Sequence, residues 1–157
     1  MGWHGRCSLL ESARREGSRE AHAEPCAAWE TFAVEKRILV VDHHRPSREG
    51  LRDWLRTEGH KIETAADSRQ AIRQVGEGHF DIAIIDLDLP PVDGVTMSGW
   101  ELACVLRVHH PAMSLILIGT EDAEAAGMAA AGIRASQFLE KPISPARLKT
   151  LVRTLDP

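Results

Sequence analysis

Four polar residues that could do chemistry directly follow apolar, strand-like runs of the chain. They are two aspartates, Asp42 and Asp86, a hydroxyl residue, Thr120, and an amine, Lys141. Crowded carboxylates repel each other unless one is protonated or a cation lies between them, and carboxylates with an open, hydrated face suit Mg²⁺. A hydroxyl and an ammonium group facing the same point would bind the oxygens of a phosphoryl group. Together these residue types indicate phosphoryl transfer onto a carboxylate.

The periodicity of the chain from residue 36 onward predicts five strands alternating with five helices. The first strand is a continuous β-branched run, which is typical of a strand buried on both faces. The predicted strands are 37–41, 61–64, 81–85, 115–118 and 137–140, and the predicted helices begin near Pro46, at a cap on Ser68, near Trp100 and Glu121, and at Ser144-Pro145. In the helix from Trp100, we expect Ala103, Leu106 and Cys104 to face inward.

Strict alternation of this kind predicts an α/β fold, a doubly wound five-stranded parallel sheet with helices on both faces. In the flavodoxin-like strand order 2-1-3-4-5, strands one and three are neighbours, so Asp42 and Asp86 project into one crevice. Such sheets bind their ligands beyond the carboxyl ends of the strands. The fold class therefore agrees with a site built from the residues that follow each strand.

Composition and charge exclude several other classes of protein. The 157 residues carry a net charge of -4 and are 43% hydrophobic, whereas nucleic-acid-binding domains are usually clearly basic. No apolar run reaches the length of a membrane span, the N-terminus lacks the apolar stretch of a secretory signal, and the three cysteines form no CxxC pair. We expect a cytoplasmic protein with no membrane insertion.

The first 35 residues differ in composition from the rest of the chain. Their only Leu, Ile or Val residues are Leu9, Leu10 and Val34, too few to offset the entropy of ordering the segment. We expect residues 1–35 to form a disordered tail and residues 36–157 to form the folded domain.

From Arg37 to Leu155 the sequence resembles the receiver domain of two-component response regulators. Four motifs carry the resemblance in the same order along the chain: Ile-Leu-Val-Val-Asp42, Ile-Ile-Asp86-Leu-Asp-Leu-Pro90-x-x-Asp-Gly94, Gly119-Thr120 and Phe138-Leu-Glu-Lys141-Pro142. One such motif would be weak, but four at the right strand ends are specific.

The resemblance implies a role for each of these residues. Asp86 would accept a phosphoryl group from the phosphohistidine of a sensor histidine kinase or phosphotransfer protein. Asp42 and Asp86 would hold Mg²⁺ together with Asp88 through its backbone carbonyl, while Thr120 and Lys141 would contact the phosphoryl group. Phe138 would be the aromatic residue that reorients with Thr120, and the Lys141–Pro142 bond would often be cis.

Three features depart from the family pattern. The second acid after strand one is replaced by His43, which should weaken Mg²⁺ binding because imidazole is a poor ligand for that ion; Asp88 adds a carboxylate that could compensate. The segment Val95–Gly99 inserts about five residues before the next helix, which a surface loop tolerates at small entropic cost. Glu121 follows Thr120 where the family prefers a small residue. His43 and His44 are otherwise expected to be solvated.

Three alternative functions share some of these features. Asp86-x-Asp88 also looks like the opening motif of haloacid-dehalogenase-type phosphatases, but the acidic pair expected after the lysine is missing. A flavodoxin-type carrier would need a Ser/Thr/Gly-rich phosphate loop after strand one. The alternative left open is a degenerate receiver that binds proteins independently of phosphorylation.

Output is expected to occur through a partner protein. Because the sequence stops shortly after the last predicted helix, we expect a stand-alone receiver that is not itself an enzyme, beyond catalysing its own phosphorylation and dephosphorylation. The predicted docking face consists of the fourth helix, the fifth strand and the fifth helix, since Thr120 and Phe138 would lie beneath it.

Overall fold

The fold was obtained as a computed structural model, and it describes residues 34–90, 97–120 and 137–155. Five parallel strands form one sheet in these ranges, and four helices accompany them. The strands are β1 (Arg37–Val41), β2 (Lys61–Ala65), β3 (Ile82–Asp86), β4 (Ser114–Gly119) and β5 (Phe138–Glu140), and the helices are α1 (Arg45–Thr57), α2 (Ser68–Glu77), α3 (Gly99–His109) and α4 (Pro145–Thr154). The predicted helix from Glu121 lies outside the described residues, as do residues 1–33 of the predicted tail.

The strand order is β2-β1-β3-β4-β5, which confirms the predicted fold class. Strand β1 pairs with β3 through four residues from Ile38 opposite Ile82 to Val41 opposite Ile85. Asp86 is the last residue of β3 and pairs with Ile118. The carboxyl ends of β1 and β3 therefore lie side by side, which is the condition that the predicted site requires.

Alternate residues of β1 enter two separate apolar layers. Leu39 and Val41 are fully buried in the layer that contains residues of α2 and α3, whereas Ile38 and Val40 are fully buried in the layer that contains residues of α1 and α4. Burying each such side chain stabilises the fold by roughly 1.5–3 kcal/mol. The sheet is thus fixed from both faces, and its carboxyl edge is a rigid platform.

The helix starts differ in detail from the predicted ones. Asp67, not Ser68, is the N-cap of α2, since its side chain accepts a hydrogen bond from the Gln70 N–H at 2.7 Å and Ser68 is the first helical residue. A carboxylate at this place also interacts favourably with the helix dipole. The Ser144 cap of α4 is confirmed, whereas Cys104 of α3 is only partly buried, unlike Ala103 and Leu106.

Candidate functional site

Asp42 follows β1 and is held in place by the backbone around it. Its amide donates to the Ala65 carbonyl at 3.1 Å, and its side chain accepts from the His44 amide at 2.7 Å. From the first turn of α1, Arg48 donates to the Asp42 carbonyl at 2.6 Å and to the His43 carbonyl at 3.4 Å. The loop between β1 and α1 is therefore fixed by a cationic side chain that the sequence motifs did not single out.

Asp86 is nearly inaccessible, with an exposed fraction of 2%. Its Oδ1 atom accepts from the Asp88 amide at 3.0 Å and from the Lys141 Nζ atom at 2.8 Å. Its Oδ2 atom lies 3.7 Å from His43 Nδ1. The two oxygens of this carboxylate thus face two different environments, an amine on one side and an imidazole on the other.

Lys141 reaches Asp86 from the end of β5. Its backbone amide donates to the Gly119 carbonyl at 3.0 Å, and its Nζ atom also contacts Asp88 Oδ2 at 3.0 Å. Burial alone would lower the pKa of Lys141, but hydrogen bonds and charges from Asp86 and Asp88 outweigh it and raise the pKa. Lys141 is therefore a fixed cation at neutral pH. The Lys141–Pro142 bond is cis, the isomer that the resemblance implied.

A cluster of potential metal ligands lies on the side of Asp86 that faces away from Lys141. One ligand atom each from Asp42, His43 and Asp86 lie within 4.8 Å of one another. Burial raises the pKa of Asp42 above its ordinary value, the His44 amide opposes this, and the charge of Asp86 adds to it. A cation between the two carboxylates would counteract both the effect of burial and the repulsion between Asp42 and Asp86. This donor set of two carboxylates and an imidazole fits a divalent metal ion.

The remaining predicted site residues lie at or below the same edge of the sheet. Thr120 directly follows β4 and is exposed, and Phe138 is buried in the layer on the α2–α3 side. Asp88 is half-exposed, and its carboxylate contacts Lys141 rather than the cluster around His43. The predicted ligand set of Asp42, Asp86 and Asp88 and the predicted roles of Thr120 and Phe138 stay predictions. Glu121 and residues 95 and 96 of the insertion lie outside the described residues.

Gly99 is a site residue that the motifs did not reveal. A Cβ atom on Gly99 would lie 2.2 Å from the Asp86 carbonyl oxygen and 2.6 Å from the Leu87 Cα atom, so α3 begins against the backbone of the central aspartate. Ser98 and Glu101 form a capping box there. The pattern Ser98-x-x-Glu101 was the available signal, since a serine followed by glutamate three residues later marks a helix start.

Comparisons with known proteins agree on one family. Residues 38–153 match the model of the response regulator receiver domain. The response regulator MprA of Mycolicibacterium vanbaalenii is 30% identical over 125 residues, which cover 77% of this chain and 52% of that protein. The transcriptional regulatory protein PmrA of Pectobacterium parmentieri is 28% identical over 76% of this chain and 51% of that protein. The chain therefore spans about half the length of these curated relatives.

Solved structures resemble the described fold over three quarters of the chain. The response regulator TrrA of Thermotoga maritima, solved in complex with Mg²⁺ and BeF, has a TM-score of 0.65 and is 30% identical over 76% of this chain and 98% of its own. The chemotaxis response regulator CheY4 of Vibrio cholerae has a TM-score of 0.65 and is 28% identical over 76% of this chain and 98% of its own.

Proposed function

Because the chain belongs to the family of response regulator receiver domains, we propose that Asp86 is its phosphoacceptor. Aspartyl phosphorylation and Mg²⁺ binding are general features of this family, and its members are signalling modules rather than classical enzymes. The observation that carries the proposal is the buried Asp86 carboxylate with Lys141 Nζ at 2.8 Å and the Asp42 carboxylate on its other side.

The donor is the phosphohistidine of a sensor histidine kinase or a phosphotransfer protein. A carboxylate oxygen of Asp86 forms the new O–P bond as the P–N bond to the donor imidazole breaks. The electron pair of that bond returns to the imidazole, which takes a proton from solvent. Lys141 offsets negative charge on the phosphoryl oxygens, because its ammonium group already lies beside the reacting carboxylate.

Asp42 and Asp86 would hold the metal ion, with the Asp88 carbonyl as the further protein ligand that the resemblance implies. When bound, Mg²⁺ supplies charge neutralisation for the phosphoryl oxygens. Asp42 contributes a buried carboxylate that the His44 amide holds in place, and Arg48 binds the backbone carbonyl of the same residue. Thr120, at the end of β4, supplies a hydroxyl to the phosphoryl group.

The signal leaves the domain through a docked protein. The docking face would consist of the segment that begins near Glu121 and is predicted as the fourth helix, together with strand β5 and helix α4 (Pro145–Thr154). There Phe138 reorients together with Thr120. Among the described residues, no helix has the length and apolar character needed to cross a membrane. We place this module in the cytoplasm, in agreement with the sequence composition.

A degenerate receiver that binds partners without phosphorylation is the second candidate. His43, which replaces the second acid of the family pattern, favours it, because its imidazole lies 3.7 Å from Asp86. The Asp88 carboxylate on Lys141 favours it as well, since it competes for the amine that a phosphoryl group would use.

Incubation with acetyl phosphate and Mg²⁺ followed by intact mass measurement separates the two candidates. We expect the wild-type chain to gain one phosphoryl group and the Asp86→Asn variant to gain none. Asp53→Asn is the matched control, because Asp53 is an exposed aspartate on α1 and its variant should behave as wild type. Equal masses before and after incubation of the wild type would favour the degenerate receiver.

A further inference from the structure

We infer that the cluster of Asp42, His43 and Asp86 is a binding site for a borderline divalent cation such as Zn²⁺, with His43 as a direct ligand. The inference rests on the proposed function only in taking Asp86 as the centre of the site. The family pattern has an acid where His43 stands, so this ligand set is a property of this chain.

The distances fit a single ion. Zn²⁺ binds imidazole nitrogen and carboxylate oxygen at about 2.1 Å, so two ligands of one ion lie at most about 4.2 Å apart. His43 Nδ1 and Asp86 Oδ2 are separated by 3.7 Å, which already satisfies this limit. The third ligand atom, from Asp42, lies within 4.8 Å of both, so a small side-chain rotation completes the set.

The surroundings leave Asp86 Oδ2 as the oxygen that faces this cluster. Lys141 Nζ and the Asp88 amide both bind Oδ1. Asp42 and Asp86 are 5% and 2% exposed, and two buried carboxylates next to each other repel. A divalent ion therefore gains more here than at exposed acids.

The imidazole determines which ion is preferred. Carboxylate and carbonyl oxygens suit Mg²⁺, whereas imidazole suits Zn²⁺ and other first-row transition metals. His43 is 42% exposed, so the site keeps an open face, as three-ligand zinc sites do when water completes the coordination. Arg48 donates to the His43 carbonyl at 3.4 Å, which holds the backbone of His43 next to the cluster.

The neighbouring His44 provides a matched control. Its Nδ1 atom lies 2.8 Å from Ser47 Oγ, so its ring has a local partner in the first turn of α1. A chain with eight histidines can bind Zn²⁺ elsewhere, and comparing His43→Ala with His44→Ala separates this cluster from such binding.

Isothermal titration of the full chain with Zn²⁺ and with Mg²⁺ tests the inference. His43→Ala should lower Zn²⁺ affinity by about tenfold or more, because even the loss of a residue that only supports a metal ligand costs about 10–100-fold in affinity. The affinity for Mg²⁺ should change little. His43→Asp should raise Mg²⁺ affinity and lower the Zn²⁺-to-Mg²⁺ preference. His44→Ala should match wild type for both ions. With Co²⁺ as a probe, the visible absorption of the bound ion should change in His43→Ala.

Unchanged or tighter Zn²⁺ binding by His43→Ala would overturn the inference, because His43 would then not be a ligand of the ion. The proposed function has a separate readout. His43-dependent Zn²⁺ binding without phosphorylation of Asp86 would contradict the proposed function alone. Phosphorylation in Mg²⁺ with His43-independent Zn²⁺ binding would contradict this inference alone.

Discussion

At the scale of single residues, the site depends on how charge is balanced around Asp86. One oxygen of its carboxylate is neutralised by Lys141, and the other faces Asp42 and His43. Without a metal ion, Asp42 is a buried anion beside a second anion. Its geometry is nevertheless fixed by the hydrogen bond from the His44 amide. The domain therefore maintains an unfavourable charge pair at the place where we propose that a cation binds.

Replacing Asp42 by asparagine should stabilise the metal-free protein. The amide oxygen of asparagine can still accept from the His44 amide, while the buried charge is removed. We expect the free energy of unfolding at neutral pH to rise by about 1 kcal/mol, the scale of common stabilising substitutions. Urea unfolding in the presence of a chelator measures this value, with Asp53→Asn as an exposed control.

The pH dependence of the same pair follows from the raised pKa of Asp42, which burial and then Asp86 cause against the opposing His44 hydrogen bond. Because the folded state holds this proton more tightly than the unfolded state, ionisation costs stability. The contribution of Asp42 is present below its ordinary pKa of 3.8 and is lost as the pH rises through the folded-state pKa. A metal-free Asp42→Asn variant that is less stable than wild type at neutral pH would contradict this account.

At the scale of secondary-structure elements, the start of α3 is tied to the backbone of β3. Gly99 is the contact point, since no larger residue fits beside the Asp86 carbonyl. The Ser98–Glu101 capping box fixes the first turn of the helix at this contact. The position of the central aspartate therefore depends on a helix start.

Gly99→Ala should destabilise the protein by about 1–3 kcal/mol, the usual cost of overpacking, and should slow phosphorylation of Asp86. Gly50→Ala is the matched control, because Gly50 lies within α1 and an added Cβ would meet nothing within 4 Å. That variant should gain about 0.5–1 kcal/mol from better helix propensity. Thermal unfolding of both variants measures these changes in stability. An equal change in stability for Gly99→Ala and Gly50→Ala would contradict the close contact at Gly99.

The opposite end of the sheet contains a buried polar group of its own. Lys36 precedes β1, is 5% exposed, and its Nζ atom donates to the carbonyls of Val152 and Leu155 at the end of α4. The Lys36 amide donates to the ring of His60 at 3.4 Å. Burial and then the charge of Lys36 lower the pKa of His60 from its ordinary value of 6.5.

His60 should therefore destabilise the fold in mild acid. The unfolded chain binds the proton more readily, so the contribution of neutral His60 is complete above about pH 6.5 and is lost as the pH falls below it toward the folded-state pKa. His60→Gln keeps an acceptor and should lose less stability than wild type between about pH 7.5 and 5.5. Urea midpoints measure this, with His109→Gln, at an exposed position of α3, as control; an unchanged pH dependence in His60→Gln would contradict the prediction.

At the scale of the whole molecule, the sequence predicted the sheet well because its strands are buried on both faces. Continuous apolar runs such as residues 38–41 are short and rich in β-branched side chains, and these two features favour a buried strand over a helix. The carboxyl-edge positions of Asp42 and Asp86 then followed from strand order alone.

The finer geometry of the site could not be predicted in the same way. The contact of Asp88 with Lys141, the approach of His43 to Asp86 and the requirement for Gly99 all depend on loop paths and rotamers. The helix cap at Asp67 instead of Ser68 illustrates the same limit, because two adjacent residues have nearly equal capping preference and the chain path selects one.

The position of the phosphoryl group tests most directly whether Asp86 is the phosphoacceptor. After treatment with acetyl phosphate and Mg²⁺, borohydride reduces an aspartyl phosphate to homoserine, and peptide mass spectrometry locates the altered residue. We expect homoserine at position 86 of the wild-type chain. Conversion at another aspartate, or at none, would contradict the assignment of Asp86 as the phosphoacceptor.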